Sequence, residues 1–152
     1  MKKSRLGKKF IYLISPNKIK DELFFYSNLR KILKTKKISF FQLRLKKQSL
    51  KKKISIGKKI LKICKKNKVK FIVNDNPLLA KKLMADGCHL GQKDMDFNSA
   101  KQILGNKIIG ISCYNSEQLI KKGIKNKASY IALGAFFPME IFFFKLCFFN
   151  LN

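Results

Sequence analysis

Arginine and histidine are scarce in this chain, and its cysteines follow no pattern. Only three of the 35 basic residues are Arg (Arg5, Arg30 and Arg44), and there is a single His. Nucleic-acid binders concentrate Arg and interleave aromatics on one face. Here Lys is spread along almost every polar segment, so the formal net charge of +27 reads as a solvated surface. The balance is against nucleic acid as a partner, and a basic nucleic-acid-binding module is kept as the alternative from another functional class. Cys64, Cys88, Cys113 and Cys147 form no C-x-x-C pair. That argues against a zinc site or a disulfide framework and fits a reducing, cytoplasmic setting. Long apolar runs are missing near the N-terminus too: "FIYLIS" (10–15) is short of a signal-peptide core and of a bilayer span. A soluble chain with no membrane partner is expected.

What is present is a regular alternation. With 152 residues and 46% hydrophobic content, the chain can build one domain with a real core. Strand-like runs occur at 10–15, 38–45, 70–75, 87–92, 107–113 and 130–137. Between them lie helix candidates at 18–36, 47–67, 77–84, 97–104 and 115–123, with apolar residues at helical spacing against Lys-rich faces. Strand and helix in turn predict a parallel sheet covered by helices. Two architectures fit, an open doubly wound sheet or a (β/α)₈ TIM-type barrel. Open nucleotide-binding sheets carry a glycine fingerprint after the first strand, and "LISPNK" has none. A similar glycine spacing in "GNKIIGIS" (105–112) has Ile111 where a phosphate-binding lysine would stand. A barrel remains, incomplete, with about six of its eight βα units visible.

Four of the eight acidic residues fall between positions 75 and 96. Asp75 ends the third strand and Asp94 follows the fourth, so in a parallel barrel they occupy neighbouring loops on the rim that carries active sites. Two carboxylates there can hold a hard cation such as Mg²⁺, or they can cap the helices that follow; both readings stay open. In "FFQLRLK" (40–46), Gln42, Arg44 and Lys46 are spaced by two and share a face while the strand lasts. An Arg fork beside a Lys point charge suits a pyrophosphate, and the competing reading is an edge strand with one solvated face. Ser112 adds a hydroxyl near the end of the fifth strand, unless it is an ordinary strand-end serine. His89, alone in an apolar strand, is expected to be a packed, hydrogen-bonded core residue.

These pieces resemble the thiamine phosphate synthase family. "QLRLK" (42–46), "IVNDN" (72–76), "ADGCHLGQKDM" (85–95), "IIGISC" (108–113) and "YIALGAFFP" (130–138) stand in the family's order. The resemblance implies a (β/α)₈ barrel that joins hydroxymethylpyrimidine diphosphate to a thiazole phosphate, releasing pyrophosphate. It implies that Gln42, Arg44 and Lys46, with Asn74 and Ser112, hold the pyrimidine diphosphate, and that Asp75 and Asp94 are Mg²⁺ ligands. It also implies a dissociative reaction, in which pyrophosphate departs before the thiazole nitrogen attacks, with no acid or base required from the protein.

From Met139 the family pattern stops, and the Thr-x-Thr-Lys-like segment expected after "GAFFP" is absent. The expected organisation is therefore a partial barrel over residues 1–138 and an apolar tail over 139–152, as a frameshifted or truncated reading frame would produce. The first and sixth strands are expected to keep unpaired edges. A homo-oligomer or a complementing chain would then be a partner beside the small phosphorylated substrates. A thiazole tautomerase-like protein and a non-catalytic barrel fragment are the alternatives within the same fold.

Overall fold

The structure, a computed structural model, describes residues 11–134 and the strand at 146–149. The chain divides into two compact units, Met1–Phe71 and Ile72–Asn152.

The first unit contains β1 (Ile11–Ile14), α1 (Glu22–Lys34), β2 (Ile38–Leu43) and α2 (Leu50–Lys66), with β1 and β2 parallel. The helix foreseen from residue 18 begins at Glu22, because the Asp21 carboxylate accepts the Phe24 N–H at 2.9 Å and so fixes the first turn there. Tyr26, Leu29 and Leu33 lie on the buried stripe of α1. Ser49 caps α2 through the Lys52 N–H, and Ile56, Ile60, Ile63 and Cys64 bury its inner face. Glu22, in the first turn of α1, binds the ammonium groups of Lys52 and Lys59 from α2.

The second unit takes up the chain within β3 (Lys70–Asn74). It continues through α3 (Pro77–Lys82), β4 (Gly87–Leu90), α4 (Phe97–Leu104), β5 (Ile108–Tyr114), α5 (Glu117–Lys125) and β6 (Tyr130–Leu133). Neighbours β3 and β4, β4 and β5, and β5 and β6 all pair in parallel. Along β5 the side chains alternate between two environments. Ile111 and Cys113 join Ala128 and Ile131 in a core packed against Phe97, Leu119 and Ile120 of the helices. Gly110 and Ser112 point to the opposite face, where the polar groups gather.

The sixth strand does not keep an open edge. Strand β7 (Leu146–Phe149) pairs with it antiparallel, Tyr130 opposite Phe149 and Leu133 opposite Leu146. An edge strand presents unpaired N–H and C=O groups, and an antiparallel partner strand satisfies them. The rest of the tail expected at 139–152, Phe142 to Phe144 included, lies outside the described residues. Among the described residues no helix is long and apolar enough to cross a membrane.

Candidate functional site

In the first unit the polar residues at the end of β2 and just beyond it are tied to β1 and the loop that follows it. Gln42 is buried, and its Nε2 donates to the Tyr12 hydroxyl at 3.3 Å. The Ser15 N–H donates to the Gln42 carbonyl at 2.9 Å, and the Ser15 hydroxyl accepts the Arg44 N–H at 2.8 Å. The Arg44 guanidinium donates from Nη1 to Asn17 Oδ1 at 2.6 Å. One edge of the planar fork is thereby fixed in direction, an arrangement that pre-organises a guanidinium for an anion.

Lys46 departs from the expected alternation. β2 ends at Leu43, and the Lys46 N–H turns back to the Arg44 carbonyl at 3.1 Å. The strand register foreseen to 45 therefore stops short, and Lys46 is exposed on the loop. Leu45 is buried beyond the strand end, and this anchor keeps the apolar pattern running where the ladder has already stopped.

In the second unit the two carboxylates are not spent as helix caps. α3 is capped by Asn76, whose Oδ1 accepts the Leu79 N–H at 2.8 Å. α4 is capped by Asp96, whose carboxylate accepts from Asn98 and Ser99. The Ser99 hydroxyl, with the backbone N–H groups of that turn, holds the Asp96 carboxyl below its usual range. The capping reading of Asp75 and Asp94 is thus set aside, because in each case another residue at the correct offset performs that task.

Asp75 sits instead at the centre of a tight turn. Its φ is 65°, its N–H donates to the His89 carbonyl at 2.8 Å, and the Asn76 N–H folds back to the Asn74 carbonyl at 2.8 Å. Four other non-glycine residues with positive φ, Lys36, Lys68, Met84 and Lys127, each follow a helix end, where a left-handed residue is ordinary. Asp75 and Tyr114 adopt it at strand ends. Local strain that the surroundings hold in place clusters at functional sites.

Asp94 is oriented by Gly91, whose N–H donates to Asp94 Oδ2 at 2.6 Å. A Cβ at position 91 would lie 2.9 Å from that oxygen, so a side chain there would displace the carboxylate from this position. Burial pushes the Cys88 thiol up to about 12, and the negative charges of Asp75 and Asp94 push in the same direction. The charges of both carboxylates thus bear on one buried sulfur, and the two residues stand on the loops that follow the paired strands β3 and β4. This is a hard oxygen donor set that fits Mg²⁺. Among the described residues no group of three or more His, Cys, Asp or Glu side chains forms a metal site. A bound Mg²⁺ would therefore complete its shell from water and substrate phosphate.

Across the sheet from Asn74 lies a buried polar row. His89, Ser112 and Tyr130 are all at most 4% exposed. His89 is 2.9 Å from the Tyr130 hydroxyl through Nδ1 and 2.9 Å from Ser112 Oγ through Nε2. The Gln92 side chain donates to the Ser112 carbonyl, tying the loop after β4 to β5. A cavity of about 250 Å³ also borders Asp94, but it runs along Ile111, Leu119 and Lys122 on the helix side and takes in neither Asp75 nor Ser112.

A family model described as thiamine monophosphate synthase matches residues 11–141. The chain belongs to the thiamine monophosphate synthase family. Within that family it is 63% identical over 140 residues to the thiamine-phosphate synthase of Pelagibacter ubique (strain HTCC1062), covering 92% of this chain and 67% of that protein. It is 38% identical over 138 residues to that of Bacillus cereus (strain AH187), covering 89% and 61%. Among solved structures, thiamine phosphate pyrophosphorylase from Pyrococcus furiosus superposes with a TM-score of 0.74 at 29% identity, over 85% of this chain and 61% of that one. The fold class is thus α/β of the barrel type, and this member of the family spans roughly half to two thirds of the curated relatives it matches. Tyr12, Ser15, Asn17, Gly91 and Tyr130 went unnoticed in the sequence. Tyr12 and Tyr130 sit in apolar runs that look like core, Ser15 and Asn17 sit in a loop whose partner Arg44 is distant in sequence, and Gly91 acts through its backbone N–H on a carboxylate three residues on.

Proposed function

We propose that this chain serves thiamine phosphate synthesis, binding hydroxymethylpyrimidine diphosphate for transfer to a thiazole phosphate with release of pyrophosphate, in the cytoplasm. The observation that carries the reading is the pair Asp75 and Asp94. Neither caps a helix, and the two stand on the loops that follow the paired strands β3 and β4, where the charges of both bear on the Cys88 thiol. Mg²⁺ held by these carboxylates would neutralise charge on the departing pyrophosphate.

The chain's own groups have separate tasks in this reading. Arg44, braced by Asn17, offers its remaining N–H donors to phosphate oxygens, and Lys46 supplies a point charge from the adjoining loop. Gln42, held by Tyr12, orients the substrate, with Asn74 beside the strained Asp75 turn. Ser112 donates its hydroxyl proton to an anionic oxygen. Donors aimed where negative charge grows favour departure of the leaving group, and no protein base is required for this step.

The test is a titration of the purified chain with the pyrimidine diphosphate in the presence and absence of Mg²⁺, followed by addition of thiazole phosphate and assay for thiamine phosphate. Mg²⁺-dependent binding is expected, weakened in Arg44→Ala and in Asp75→Ala. Unchanged affinity in both variants sinks the site assignment.

A further inference from the structure

We propose that His89 is a positioning residue: fixed by Tyr130, it donates from Nε2 to Ser112 Oγ and thereby aims the Ser112 hydroxyl proton at an anionic oxygen of the bound diphosphate. The proposal rests on the reading that Ser112 meets that ligand.

The register builds the arrangement. His89 on β4 lies directly beside Gly110 on β5, and Gly110 lies directly beside Tyr130 on β6. Strands two apart are about 10 Å from each other, and Tyr130 crosses that gap because Gly110 has no side chain. A Cβ on residue 110 would lie 2.0 Å from Tyr130 Cζ. Ser112 stands two residues further along the same face of β5, at 2.9 Å from the other imidazole nitrogen.

The hydrogen bonds that join these three side chains allow two arrangements. A neutral imidazole carries one N–H, and the three side chains together hold three mobile protons. In one arrangement Ser112 donates to Nε2 and Nδ1–H donates to the Tyr130 oxygen. In the other Tyr130 donates to Nδ1, Nε2–H donates to Ser112 Oγ, and the Ser112 proton is left for a third group. Ionised phosphate oxygens can only accept, so a bound diphosphate selects the second arrangement. The protonation count is the same in both, so the change is one of tautomer, not of charge. Burial of all three groups makes a mismatched donor or acceptor costly, which is why the choice at Ser112 is transmitted to Nδ1.

The chain has one histidine, so its ring nitrogens give a single unambiguous signal. The experiment uses the full chain labelled with ¹⁵N-histidine, Mg²⁺ and inorganic pyrophosphate, with long-range ¹H–¹⁵N correlation at constant pH and calorimetry on the same sample. The expected result is binding, with protonated-type Nε2 and unprotonated-type Nδ1 in the complex. Binding with the proton on Nδ1 overturns the proposal and leaves the functional reading standing. No binding at all removes both. A second measurement uses variants. Tyr130→Phe should weaken pyrophosphate binding by about three- to tenfold, in line with losing one buried hydrogen bond. It should add no further loss when combined with Ser112→Ala, whereas additive losses would show that Tyr130 does not act through Ser112.

Discussion

Tyr130 reaches Nδ1 of His89 at 2.9 Å by laying its ring over Gly110, the residue between them in the sheet. Three strands are locked together by a side chain that only a missing side chain admits. Gly110→Ala should therefore force the Tyr130 ring aside and cost about 3 kcal/mol, at the upper end for overpacking a core. Urea denaturation checks the stability, and the single histidine signal checks the displacement. A variant with unchanged midpoint and spectrum would show that the ring has room elsewhere.

Asp94→Asn keeps an oxygen that can accept the Gly91 N–H while removing the charge, so folding should survive. Mg²⁺-dependent pyrophosphate affinity should fall by about tenfold or more, the scale seen when a metal site loses a supporting group. The Cys88 thiol should also become easier to ionise, since one of the charges that raises it is gone. The pH dependence of Cys88 alkylation, followed by mass spectrometry, measures that fall.

Arg44→Lys should not rescue Arg44→Ala. The Lys side chain lacks the fork that binds Asn17 with one edge and offers the other to a phosphate. Each substitution should weaken diphosphate binding by about tenfold, and Asn17→Ala by less, consistent with the cost of charge-assisted hydrogen bonds. Equal affinities for the Lys variant and the unaltered chain in calorimetry would remove the argument from the fork.

Glu22 ties α1 to α2, and the hydrogen bond from Lys52 is the main cause that lowers its carboxyl from 4.5 to about 2. Tyr26 and Lys59 add hydrogen bonds to the same carboxylate. A lowered folded-state value means that the stabilisation is fully present above pH 4.5 and is lost as pH falls toward 2. Glu22→Gln should cost about 1 kcal/mol at neutral pH, once solvent screening of this partly exposed network is allowed for. The gap between the two proteins in urea midpoints should narrow as pH falls below 4.5 and close only near pH 2. A gap that persists at low pH would assign the effect to packing.

Much of the fold was legible because its signals are local. Periods of two and 3.6 residues located the strands and helices, with α4 expected at 97–104 and found as Phe97–Leu104. The start of α1 was drawn four residues too early, because Ile19 continues the apolar pattern although Asp21 sets the cap. β7 was not foreseen: its apolar run has no alternation, and only pairing with β6 defines it as a strand.

The sequence by itself determined the alternating α/β class, the family, and the residue types able to meet a diphosphate, since contiguous motifs and short periods survive without knowledge of the fold. Tertiary structure decided which groups are committed elsewhere. Asn76 and Asp96 took the helix caps, Lys46 left the strand face, and Asp75 was held at positive φ by a carbonyl of the neighbouring strand. Only register could join His89 to Ser112, 23 residues away, and to Tyr130, 41 residues away. A slip of one residue would turn each of those side chains to the other face of the sheet, and no local pattern in the chain encodes that alignment.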